Sequence, residues 1–163
     1  MIFVTVGTHE QPFDRLLREV DRLVAAGELG QPVFCQRGYG EYAPATPGAP
    51  MLPFAEMEGR IAAATAVVAH GGPGTILPVL AAGKPLVLVP RQRRFGEHID
   101  DHQVAFCRRI GRERGIPVVE AIEDLGSALA AARAAPQAGT VRSATAPAVA
   151  RLGELIDALR VSG

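Results

Sequence analysis

Apolar residues along this chain come in two rhythms, short continuous runs and longer stretches at helical spacing, and the two alternate from the first residues onward. Ile2 to Val6 is a β-branched apolar run that predicts a strand, and "GTHEQP" after it carries Gly7 and Pro12, markers of a turn. Phe13, Leu16, Leu17, Val20, Leu23 and Val24 then recur every three or four residues. Asp14, Arg15, Arg18 and Glu19 take the other face, and Gly27 stands at the stop, which predicts an amphipathic helix. "PVFCQ", Pro32 to Gln36, predicts a second strand. The glycine- and proline-dense "RGYGEYAPATPGAPMLP" predicts a long loop with at most a short strand in it.

The same alternation continues downstream. Helices are predicted over Glu56 to Ala64, Thr75 to Ala82, Asp101 to Arg112 and Ile122 to Ala134, and strands over Ala66 to His70, Pro85 to Val89 and Ile116 to Glu120. A last helix, about residues 145–160, carries Val149, Leu152, Leu155, Ile156 and Leu159 as a stripe that should dock on the domain. The strands are apolar throughout rather than at every second residue, as in parallel sheets covered on both faces. The expected architecture is α/β, a Rossmann-like open parallel sheet with helices on both faces, in one domain over residues 1–163.

Composition narrows the functions on offer. An apolar share of 48% with 21% charged residues is that of a folded chain. Seventeen basic residues balance seventeen acidic ones, so there is no net field to draw in nucleic acid or an acidic membrane. Cys35 and Cys107 are too few and too far apart for a disulfide framework or a zinc knuckle, and read as reduced, buried thiols of a cytoplasmic protein. The amino terminus opens on a strand rather than a leader peptide, and no apolar run reaches the roughly 18 residues of a membrane helix, so no transmembrane segment is expected.

The stretch with most chemistry is "VVAHGGPGTI", Val67 to Ile76, where a buried strand ends in a histidine and three glycines before a helix begins. Ligands of open parallel sheets bind beyond the carboxyl ends of the strands. Gly71, Gly72 and Gly74 permit close backbone approach, Thr75 is placed to cap the helix, and a helix start with free N–H groups attracts phosphate. The alternative is a turn that carries glycines merely to bend, with His70 a satisfied strand-end histidine; the stretch alone does not separate the two. A Walker A loop is disfavoured, because Pro85 stands after Gly83 and Lys84 where Ser or Thr belongs, and G-x-G-x-x-G is absent.

"PRQRRFGEHIDDHQ", Pro90 to Gln103, should project at the same sheet edge. Its acidic and amide groups suit sugar hydroxyls. Arg91, Arg93 and Arg94 suit phosphate or an anionic headgroup, although a solvated loop is the simpler reading of the arginines. His98 and His102 lie four apart with Asp101 between, but a helix starting at Asp101 leaves His98 outside it, so no metal site is expected.

"VVAHGGPGTILPVLAAGKPLVLVPR" followed by "GEHIDDHQ", together with the opening "IFVTVGTHEQPFDRLL", resembles the carboxyl-terminal, donor-binding domain of GT-B glycosyltransferases of family 28. The likeness extends over nearly the whole chain. It is strongest to stand-alone versions: the small catalytic subunit of a two-chain N-acetylglucosaminyltransferase, and paired exopolysaccharide glycosyltransferases. The resemblance implies a nucleotide-sugar donor, most often a UDP-sugar, with its diphosphate on Gly7, Thr8, Gly72, Gly74 and Thr75. It implies donor-sugar contacts from His70, Asp101, His102 and Gln103, a hexosyl transfer, and no cofactor or bound metal.

Two departures bear on that expectation. Many relatives carry an acidic residue after the glycine turn to hold the ribose hydroxyls, and Pro78 occupies that position here. The acceptor half of a GT-B cleft is also missing from this chain, which implies a membrane-anchored partner subunit that presents a lipid-linked acceptor at the inner membrane face. His9 is the base candidate in this chain, the alternative being a base from the partner. The rival class is a non-catalytic nucleotide-sugar-binding or assembly module, favoured by Pro78 and the missing half.

Overall fold

A computed structural model describes residues 1–135 of the chain; the helix expected at about 145–160 lies outside them. Among the described residues the order is β1 (Ile2–Thr5), α1 (Asp14–Ala25), β2 (Val33–Gln36), β3 (Gly48–Ala49), α2 (Phe54–Ala63) and β4 (Ala66–Ala69), then α3 (Pro73–Ala81), β5 (Leu86–Leu88), α4 (His102–Arg114) and α5 (Leu125–Ala134). Single 3-10 turns at Arg93–Phe95 and Ile122–Asp124 precede α4 and α5.

The strands form one sheet in the order β3-β2-β1-β4-β5, and every pair is parallel. Alternate residues of each strand serve opposite faces, which is why the runs are apolar throughout. Ile2, Val4 and Val6 pack against Phe13, Leu16, Leu17, Val20 and Leu23 of α1 and its approach, and against Leu125 and Leu129 of α5. Phe3, Val67 and Ala69 face the other way, onto Ile61 of α2, Ile76 and Val79 of α3 and Phe106, Cys107 and Ile110 of α4. The helices therefore form two layers around the sheet, as the pattern predicts.

Besides small shifts at helix ends, such as α2 starting at Phe54 and α5 at Leu125, two differences from expectation matter here. The run Ile116 to Glu120 is not a strand: it touches the sheet at one bridge, Val118 to Leu88, because Leu88 alone exchanges hydrogen bonds with the Pro117 carbonyl and the Val119 N–H, and Pro117 has no N–H to extend the ladder. Helix α3 starts two residues earlier than expected, with Pro73 in its first turn and Gly72 as its N-cap, so Thr75 does not cap it. The long loop after β2 contains the two-residue β3 and is held to α1 by Asp21, which accepts hydrogen bonds from the Tyr42 hydroxyl and the Ala45 and Thr46 N–H groups.

What positions the site is the strand order. From β1 the chain proceeds outward to β2 and β3, then returns to the other side of β1 for β4 and β5. The direction of winding thus reverses between β1 and β4, and the loops leaving those two strands part there to open a crevice.

Candidate functional site

A cleft of about 410 Å³ lies at that crevice. Its walls are Gly7 and Thr8 after β1, His70, Gly74, Thr75 and Pro78 from the end of β4 into α3, and Leu52, Phe54, Met57, Glu58 and Ile61 at α2. Residues seventy apart in sequence meet here because β1 and β4 are paired in register, Thr5 opposite Ala69.

Why a histidine should stand among glycines is answered by packing. His70 is buried, and a Cβ added to Gly7 would lie 2.4 Å from its imidazole, one added to Gly72 2.3 Å from its Nε2. The ring fills the space two side chains would otherwise take, and so ties the loop after β1 to the turn after β4. Gly71 is glycine for another reason: its missing Cβ lets Cys107 and Gln103 of α4 come close. Of the three glycines in the turn, Gly74 alone has open space where a side chain would stand. Burial, with help from the Arg91 charge, pushes His70 down to about 4, so it is neutral at pH 7.

Gly7 adopts φ +76°, a left-handed conformation suited to glycine. Gln36, buried at the end of β2, locks it there by accepting the Gly7 N–H at 3.1 Å and donating to the Gly7 carbonyl at 2.9 Å, while Thr5 donates its hydroxyl to Gln36 at 2.7 Å. These two polar residues were not singled out from sequence; polar side chains at the ends of otherwise apolar strands are the signal that marks them.

The expected set of phosphate-facing amides narrows. The Gly72 N–H is turned back to the His70 carbonyl at 2.7 Å and the Thr75 N–H to the Gly72 carbonyl at 3.0 Å. Among the described residues no protein acceptor takes the Gly74 N–H or the Thr75 hydroxyl, and these, with the positive end of α3, are the donors that the α3 side of the cleft leaves for a ligand; Thr8 on the β1 side has no protein partner either.

Arg91 overturns the expectation of a solvated loop. Its side chain is fully buried. Nη1 donates to the carbonyls of Gln11 at 2.7 Å, Glu97 at 3.0 Å and Pro12 at 3.3 Å, and Nη2 to that of Val6 at 2.8 Å. A planar fork of donors is what allows one side chain to satisfy four carbonyls on two loops. The Glu97 carboxylate is taken by Arg15, at 2.8 and 3.0 Å, and by the Gln92 N–H. Burial lowers Arg91 to about 10, so it stays cationic at pH 7 and places a fixed positive charge beneath the loop that carries Thr8 and His9. Arg93 and Arg94 are exposed, as expected.

The remaining predicted residues lie outside the cleft walls. His9 follows Thr8 of the cleft wall in sequence, and its ring lies 4.5 Å from that of His98. Burial, then the charges of His98 and Arg91, lower its pKa, so it is neutral at pH 7. Asp101 accepts the Arg93 N–H at 2.9 Å and Gln103 the Arg91 N–H at 3.3 Å. His102 is largely exposed, 2.9 Å from Asp100, which also accepts the His102 N–H and lies 3.2 Å from His98. Asp100 therefore organises the start of α4, a role the sequence reading had not assigned, and its carboxyl is held below the ordinary range chiefly by the His102 N–H. His98, Asp101 and His102 do not converge on one point.

A glycine turn and a helix N-terminus at the switch point of a parallel sheet define an α/β domain of the Rossmann-like type, with a ligand crevice at the carboxyl ends of its strands. Residues 1–157 match the glycosyltransferase family 28 C-terminal domain, and the chain belongs to that family. Among solved structures it is similar to the glycosyltransferase SnogD from Streptomyces nogalater, at 23% identity and a TM-score of 0.55 over 94% of this chain. The match takes in 43% of the SnogD chain, so this chain spans less than half the length of that enzyme. A search of curated proteins finds no significant match.

Proposed function

We propose that this domain is the donor-binding, catalytic part of a two-component glycosyltransferase that moves a hexose from a nucleotide-sugar, a UDP-sugar in the first instance, to a lipid-linked acceptor of surface polysaccharide. The observation that carries the reading is the position of the cleft: it opens between β1 and β4, where the winding reverses, with the N-terminus of α3 on one wall. The donor diphosphate lies against the Gly74 N–H, the Thr75 hydroxyl and the loop at Gly7 and Thr8. The nucleoside lies along α2, where Phe54 is 72% exposed at the lip. The sugar extends toward the first turn of α4, which packs on Gly71, and there meets His102 and Gln103.

Transfer is a displacement at the anomeric carbon. The acceptor hydroxyl loses its proton as its oxygen attacks, the bond to the diphosphate breaks, and the nucleoside diphosphate leaves with the electron pair. Negative charge grows on the diphosphate, and fixed donors together with the helix dipole stabilise it there without a metal. His9 is neutral and can take the proton. Its Nδ1 accepts the Gln11 N–H at 3.4 Å, so Nε2 carries the ring proton and Nδ1 is the basic nitrogen, which takes the acceptor's proton by giving up that long bond. The acceptor half of the cleft comes from a membrane-anchored partner; among the described residues no helix is long and apolar enough to cross a membrane.

The test is transfer of radiolabel from UDP-sugar to membranes, with and without a co-expressed candidate partner. Transfer that requires both chains, and falls at least about tenfold when Thr75 and Gln103 are both changed to alanine, is the expected result. Donor binding without transfer under any pairing would identify a non-catalytic binding module instead.

A further inference from the structure

Helix α2 presents Phe54, Met57, Glu58 and Ile61 to the cleft, the i, i+3, i+4, i+7 set of one helical face. Three of the four are apolar. The fourth is the only carboxylate among the residues lining the cleft. Among the described residues Glu58 forms no ion pair and no hydrogen bond, although its neighbour Glu56 pairs with Arg60 at 3.1 Å. An unpaired acid on an otherwise apolar wall faces a cleft whose other wall offers donors for an anion.

A free carboxylate repels a diphosphate, so its place is opposite a neutral, donor-rich part of the ligand. In a nucleotide that part is the ribose 2′,3′-diol, two adjacent O–H donors that match the two oxygens of one carboxylate. The α3 wall has no group for this purpose: Pro78, one turn after Gly74 and Thr75, has neither a side-chain acceptor nor an N–H. We infer that Glu58 binds the ribose diol from across the cleft and makes the site selective for ribonucleoside over 2′-deoxyribonucleoside diphosphates. The inference rests on the donor-site reading above and adds to it the class of nucleotide accepted.

The measurement is calorimetric titration of the full chain with UDP and GDP, each beside its 2′-deoxy counterpart, for the wild type, Glu58→Ala and Glu56→Ala. Removing a negative charge near the diphosphate raises affinity for both members of a pair, so the ratio within a pair is the readout. The wild type and Glu56→Ala should prefer the ribonucleotide by about tenfold, and Glu58→Ala should bring the ratio to about one. Equal binding of both by the wild type, or an unchanged ratio in Glu58→Ala, overturns the role of Glu58 and leaves the donor site standing. Failure of the wild type to bind any of the four nucleotides overturns the donor-site reading and this inference together. Glu58 is exposed on its helix, so loss of the fold does not accompany its replacement; circular dichroism checks that directly.

Discussion

Acidification should loosen this domain through His70, and the size of the effect follows from its burial. The imidazole is 8% exposed, enclosed by the loops at Gly7 and Gly72, and its pKa is about 4 against an ordinary 6.5. The unfolded chain therefore takes up a proton near pH 6.5 that the folded chain refuses until about pH 4. Stability from this source is intact above pH 6.5, falls between 6.5 and 4, and levels off below. The gap of about 2.5 units, at about 1.4 kcal/mol per unit, is worth about 3.5 kcal/mol in full and about 3 kcal/mol by pH 4, a sizeable share of the roughly 5–15 kcal/mol that holds a typical domain together. The chain has no tryptophan, so urea unfolding is followed by far-ultraviolet circular dichroism at pH 7, 6, 5 and 4. Replacing His70 by Gln supplies the reference, because other titrating groups cancel in the difference. Wild-type stability relative to His70→Gln should drop by about 3 kcal/mol from pH 7 to pH 4. A difference that stays constant over that range refutes the claim that the ring is held neutral between the two glycines.

The same packing makes Gly72→Ala and Gly7→Ala costly. Each puts a methyl group less than 2.5 Å from a buried ring, Gly7→Ala adds left-handed strain, and a loss of about 2 kcal/mol or more in urea midpoints is expected for both. Changing Arg91 to Met leaves four carbonyls without their donor and should cost about 3–5 kcal/mol, with Arg91→Lys recovering part of it, because an ammonium lacks the fork; a cost below about 1 kcal/mol would contradict the clamp. Cys35 and Cys107, both fully buried and pushed up to about 12, should resist a thiol reagent at pH 8 in the native protein and react fully in denaturant.

Local pattern carried far into this molecule. Runs of apolar β-branched residues that alternate with helical spacing have few outcomes other than a parallel sheet between two helical layers, because each face of each strand must be buried by something. The glycine turn was legible for a similar reason: a histidine and three glycines between two apolar segments mark a backbone that must come close to something. Boundaries were less legible. Ile116 to Glu120 has strand composition, yet its pairing depended on how much of β5 was free to receive it. Arg91 looks like its neighbours Arg93 and Arg94 in the string, and nothing in the string distinguishes the one that is buried.

What the amino-acid order determined alone was therefore the class of fold and the family of the glycine turn, since both depend on periodicities and short spacings that act within a few residues. Only the tertiary structure decided which groups meet. It set the His70 ring between glycines more than sixty residues apart, spent the Gly72 and Thr75 amides inside the turn while leaving that of Gly74 open, and brought Glu58 of α2 to the cleft that Pro78 of α3 leaves without an acceptor. The physical reason is that side-chain proximity across a sheet is fixed by strand order and helix packing, which are properties of the whole chain and have no local signature.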